Sequence, residues 1–229
     1  AGRSASIMAA LLWLSGRLGP RFELNEIGAS AGVNTMMERY FYNLGGVQVG
    51  PPSSPMRIVP EWQGAAPPTA PVEIHSIRGS DIAPVDLSDP EQALRLKAYV
   101  WPEATERMGR IDAAISLAAG NPPDLAPMDA ALFVEQMLAR PQEAGVTRVL
   151  YHSVMWQYLP HETQERITDA MEAAGASATP ERPLAWIRLE TNRATFRHEL
   201  QVRYWPGGEE WIQLAEAHPH GAWVEWYGV

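Results

Sequence analysis

Arg21-Phe22-Glu23-Leu24-Asn25-Glu26-Ile27-Gly28-Ala29-Ser30-Ala31-Gly32-Val33-Asn34 is the stretch that decides the fold of this chain. Phe22 and Leu24 alternate with Glu23 and Asn25, the period-two pattern of a strand over 21–27. Gly28 and Gly32, with Ser30 between them, then turn the chain sharply. Val33, Met36, Met37, Tyr40, Phe41 and Leu44 recur at three- and four-residue spacing up to Gly45-Gly46, which predicts an amphipathic helix over 31–44. Strand, tight turn and helix N-terminus form the unit with which α/β proteins hold a nucleotide-like ligand at the carboxyl edge of a sheet.

Outward from this unit, strand-like and helix-like segments alternate. Val72–Ile77 reads as the next strand, ending at Arg78-Gly79-Ser80-Asp81. Asp89 caps a helix with Pro90 in its first turn, and Trp101-Pro102 should break it. A second helix carries Met108, Ile111 and Ile115 and stops at Gly120. A short strand to Pro127, a helix opened by Asp129, a buried strand over 146–154 and a helix over 164–174 follow. The strands at 184–189, 199–205, 211–215 and 222–226 are joined by links too short for crossover helices, so they should be antiparallel. Ile7, Leu11, Leu14 and Leu18 share one helical face, which favours a packed N-terminal helix within 1–20 over a signal-peptide core. The proline-rich insertion 47–71 should hold little regular structure. The expected architecture is a single α/β domain over 1–229. Its mostly parallel, Rossmann-like sheet carries helices on both faces, with an antiparallel C-terminal edge and an N-terminal helix.

Composition narrows the function. The chain has 229 residues, 46% of them hydrophobic, and a formal charge of −9, so clustered cations for nucleic acid or an anionic membrane are not expected. A small-molecule partner fits better. The absence of cysteine removes disulfides, thiolate metal sites and cysteine nucleophiles, and suits a cytoplasmic location. No apolar run reaches the roughly 18 to 20 residues that span a bilayer. His218 and His220, one residue apart, lack the further ligands that a metal site needs, so no metal is assigned.

The turn supports two chemical readings. Gly28-Ala29-Ser30-Ala31-Gly32 matches the GxSxG of a serine-hydrolase nucleophile elbow, with Asp129 or Asp169 as acid and His218 or His220 as base. Such an elbow follows the middle strands of its sheet, whereas this one follows the first. A plainer role for Ser30 is to cap the helix after it. In the other reading, Glu26 with Gly28, Ser30 and Gly32 resembles the first motif of class I S-adenosylmethionine-dependent methyltransferases, Ser30 standing where that family has its middle glycine. The resemblance implies that Glu26, Gly28, Ser30 and Gly32 face the methionine part of the cofactor. It puts Asp81 at the ribose, and Asp129 with Ala130 at the adenine. His152, Ser153 and Gln157, after the fourth strand in Tyr151–Pro160, become candidate catalytic residues that orient a small-molecule acceptor. Aromatic residues in that segment suit a sulfonium cation.

Over most of residues 20–227 the chain also resembles an uncharacterised bacterial domain family. The shared phrases are Glu26–Asn34, Leu94–Pro102, His152–Leu159 and Ala217–Gly221. That resemblance implies no activity, so a Rossmann-like binding domain without catalysis remains a third alternative.

Overall fold

The computed structural model describes residues 1–98 and 105–229, so the expected helix break at Trp101-Pro102 lies outside the described residues. In chain order the elements are α1 (Ser4–Leu18), β1 (Arg21–Ile27), a 3-10 helix (Asn34–Arg39), β2 (Phe41–Leu44), β3 (Val47–Val49), β4 (Arg57–Ile58), β5 (Glu61–Gly64) and β6 (Glu73–Asp81). After these come α2 (Pro90–Ala98), α3 (Thr105–Gly120), β7 (Leu125–Pro127), α4 (Ala130–Ala139), β8 (Thr147–Ser153), α5 (His161–Ala176), β9 (Leu184–Thr191), β10 (His198–Trp205), β11 (Gly208–Ala217) and β12 (Trp223–Trp226).

Nine strands form one sheet in the order β5-β12-β11-β10-β9-β8-β1-β6-β7. From β7 to β9 every pairing is parallel. β9 to β12 make an antiparallel meander. This is the Rossmann-like sheet with an antiparallel edge that the segment pattern predicts. Successive connections from β1 run outward to β6 and β7, then back across β1 to β8 and β9. The order therefore reverses between β1 and β8, the kind of point beside which open α/β sheets hold ligands.

Alternation along the strands sends side chains to two cores. Phe22, Leu24, Val149, Tyr151, Ile187 and Leu189 pack with α1 on one face. Ile27, Leu150, Leu184 and Trp186 pack on the other against Phe133, Val134 and Met137 of α4 and Ile167 and Met171 of α5. α1 is buried all the way round from Ser4 to Ser15, not only on its Ile7-Leu11-Leu14 stripe. Two of its serines are satisfied there, since the Tyr42 hydroxyl donates to Ser4 Oγ at 2.9 Å and Ser15 Oγ donates to the Pro71 carbonyl. Among the described residues no helix is long and apolar enough to cross a membrane.

Three expectations need correction. The helix over 31–44 is a short 3-10 helix followed by β2, which pairs with β3 and β4 in a separate three-stranded sheet. The aromatic run Tyr40-Phe41-Tyr42 favours extended backbone, and the spacing of three from Val33 to Met36 and from Met37 to Tyr40 serves a 3-10 turn as well as an α-helix. Second, β6 runs to Asp81, so Asp81 ends the strand rather than following it. Third, the insertion 47–71 is not merely a loop: its β5 lies parallel to β12 and forms the outermost strand of the main sheet.

At the amino edge, Arg148 is nearly enclosed. Its Nε and Nη2 donate to the Glu23 carboxylate at 3.2 and 3.4 Å, while Nη1 and Nη2 donate to the carbonyls of Arg140 and Pro141 at 3.0 and 2.9 Å. One side chain thereby ties β8 to β1 and satisfies the backbone that leaves α4.

Candidate functional site at the carboxyl edge of the sheet

β1 leads into a turn in which Gly28, Ser30 and Gly32 all take left-handed backbone, with φ of 68°, 54° and 68°. Ser30 is the strained member, because a Cβ penalises that region. The turn is held from β6. The Ala29 N–H donates to the Ser80 carbonyl at 2.9 Å, and the Ser30 N–H donates to Asp81 Oδ2 at 2.9 Å. Asp81 Oδ1 accepts from the Ala83 N–H at 3.0 Å, so this carboxylate clamps two loops together. Because the helix predicted at 31 is absent, Ser30 is not a helix cap; the 3-10 helix starts after Val33 without a side-chain cap.

Neighbours close in on the glycines. A Cβ on Gly28 would come within 2.8 Å of Met155, and one on Gly32 within 2.7 Å of Pro123. The open side of the turn is the one facing Glu26, where a cavity of about 230 Å³ is bordered by Glu26, Gly28, Ser30 and the arginines Arg3, Arg107 and Arg110. A second space of about 400 Å³ shares those three arginines and continues to His220.

Glu26 is 2% exposed and pairs in register with Tyr151 across β1 and β8. Asn34 Nδ2 donates to its Oε1 at 3.1 Å, and the Tyr151 hydroxyl stands 3.5 Å from Oε2. Burial pushes the Glu26 carboxyl up to about 7, against the opposing pull of the Asn34 hydrogen bond and the Arg3 charge. Asn34 Oδ1 is buried and has no partner among the described residues.

The other expected site residues fall in different places. Asp129 caps α4, its Oδ1 accepting from the N–H groups of Ala131 and Leu132 at 3.0 and 3.1 Å, and Ala130 is buried in the α4–α5 core. Replacing Asp129 with Ala should cost about 1 kcal/mol of stability, readable in denaturant unfolding; an unchanged midpoint would show that the cap contributes nothing. His152 is fully buried. Its Nε2 lies 3.0 Å from Trp186 Nε1, which can only donate, so Nδ1 carries the proton and donates to Glu190 at 2.6 Å. Glu190 also accepts from the N–H groups of Met155 and Trp156, and the His152 ring stacks on Trp156 at 5.0 Å. His152 thus braces the segment after β8 from the α5 side. Ser153 alternates onto the Glu26 face, and Gln157 borders a separate hollow of about 460 Å³ with Trp156 and Glu190.

Glu26, Gly28 and Ser30 therefore meet at one cavity. Gly32 and Asp81 support the turn from behind, and Asp129, Ala130, His152 and Gln157 lie away from it. Among the described residues no histidine borders that cavity beside Ser30. Asn34, Tyr151 and the three arginines were not anticipated as site residues. The signal for two of them was present, because Arg107 and Arg110 stand three apart on a predicted helix and so share a face.

The family model described as "Uncharacterized protein conserved in bacteria (DUF2332)" matches residues 1–226, and the chain belongs to that family. No curated protein and no solved structure matches it.

Proposed function

Taking membership of that family as the starting point, we propose that the chain is an S-adenosylmethionine-binding methyltransferase of the cytoplasm acting on a small-molecule acceptor. The observation that carries this reading is Glu26. It is a buried carboxyl at the end of the first strand, beside a glycine turn and a cavity, where the strand order reverses. The donor set suits the amino-acid end of the cofactor. Glu26 and the unpartnered Asn34 Oδ1 offer two acceptors to an ammonium group, and an ammonium there favours the charged form of Glu26.

When bound, the cofactor supplies a methyl group on a sulfonium. The protein's task is to position the acceptor and exclude water, which needs no strong acid or base. Gly28 and Ser30 let the backbone approach the ligand, while Met155 over Gly28 directs it to the Arg3 side. Asp81 acts by fixing the Ser30 amide, and is proposed to reach the ribose from there. The resemblance gives Gly32 a place in the same turn; the adenine place that it gives Asp129 and Ala130 lies outside the Glu26 cavity. Ser153 is the acceptor-orienting candidate on the Glu26 face. His152 and Gln157 act through the segment Met155–Tyr158, His152 by way of Glu190.

Isothermal titration with S-adenosylhomocysteine tests this reading. Binding is expected for the wild type and should weaken by about 10- to 100-fold in Glu26→Gln, the loss for one charge-assisted hydrogen bond. No heat and no thermal shift at about 1 mM ligand would remove the proposal.

A further inference from the structure

The second space beyond the arginines has an electrostatic character opposite to that of the chain. Asp and Glu outnumber Lys and Arg by 27 to 18 overall, yet Arg3, Arg107 and Arg110 converge on this hollow, with His220 on its wall. Its acidic lining residue, Glu106, is already ion-paired with Arg110. Among the described residues, neither Arg3 nor Arg107 makes an ion pair, and the mostly buried Arg110 leaves its Nε without a partner. Like charges brought together in a concave site repel one another, and an anion entering between them relieves that repulsion. Guanidinium groups present planar forks of N–H donors that match the oxygens of a carboxylate or a phosphate.

We infer that the space of about 400 Å³ between Arg3, Arg107, Arg110 and His220 binds an oxyanion, and that the acceptor is a small organic acid or phosphate ester held there by its charged group. The assignment of this ligand as the acceptor rests on the methyltransferase reading; the anion site itself does not. The two spaces share the three arginines, which places a ligand anchored on them next to the Glu26 cavity.

Arg107 is exposed on α3, so Arg107→Gln leaves the core intact and is the variant of choice. Inorganic phosphate and citrate, titrated separately at constant ionic strength, are expected to bind the wild type. Whichever binds should lose at least about ten-fold in affinity in Arg107→Gln, while His220→Gln, at a residue that borders the second space and not the Glu26 cavity, weakens anion binding and leaves S-adenosylhomocysteine affinity within about two-fold. The phosphate and citrate titrations separate an ester from a carboxylate. Equal anion binding by wild type and Arg107→Gln, or by neither, overturns the site. A parallel loss of S-adenosylhomocysteine affinity in His220→Gln assigns this space to the cofactor and overturns the acceptor claim. Arginine-dependent anion binding without any S-adenosylhomocysteine binding preserves the anion site and removes methyl transfer alone.

Discussion

Glu26→Gln is expected to be more stable than the wild type by about 3 kcal/mol above pH 7 and equal to it below about pH 4.5. The cause is burial, which raises the carboxyl from 4.5 in the unfolded chain to about 7 in the folded one. In that window the folded state holds a proton that the unfolded state has released. Wild-type stability from this group is therefore fully present below 4.5, falls as pH rises through the window, and levels off beyond 7. At about 1.36 kcal/mol per pH unit, the width of the window sets the magnitude. Gln is neutral throughout, so titrating groups that are not coupled to Glu26 cancel in the difference between the two proteins; the buried Ala1 amino group, which feels the Glu26 charge, is coupled to it. Urea unfolding of both at pH 4, 5.5, 7 and 8 reads it directly, and a difference that stays flat across the series would refute the burial argument. On the proposed methyltransferase reading the same substitution weakens ligand binding, and the residue would then trade stability for a charge that the ligand uses.

Arg148→Met should destabilise by about 3 kcal/mol without altering ligand affinity. Methionine fills much of the volume, but the Glu23 carboxylate and the carbonyls of Arg140 and Pro141 lose their donors in a place that water reaches poorly. Arg140, 3.6 Å from Glu23, retains part of the charge balance, which keeps the cost near the lower end for a broken buried pair. Guanidinium chloride unfolding measures the loss, and titration with S-adenosylhomocysteine checks that the opposite edge of the sheet is undisturbed. A loss under about 1 kcal/mol would mean that the cluster is solvated rather than structural.

The parts of this molecule legible in its residues are those set by local patterning. Phe22 and Leu24 alternating with Glu23 and Asn25 mark β1, and Asp89 before Pro90 marks the start of α2. Short links such as Pro206-Gly207 mark the antiparallel edge. The candidate site was half legible. Glu26 and Gly28 stand out because an acidic residue and a glycine at a strand end are unusual in a buried segment. The helix misread at 31–44 shows the limit: spacing of three and four describes which residues are buried, and a 3-10 turn followed by a strand buries the same ones.

By itself, the order of residues settled the strand–turn unit at 21–32, the alternation of strands and helices behind a parallel sheet, and the antiparallel ending. Each of these follows from periodicity and turn chemistry within a few residues. Tertiary packing alone decided that Met155 and Pro123 cover the two glycines, that His152 is spent on Glu190 and Trp186, and that Arg3 meets Arg107 and Arg110 beside Glu26. Those contacts join segments distant along the chain. The register and crossing of the sheet bring them together, and local propensity does not encode that.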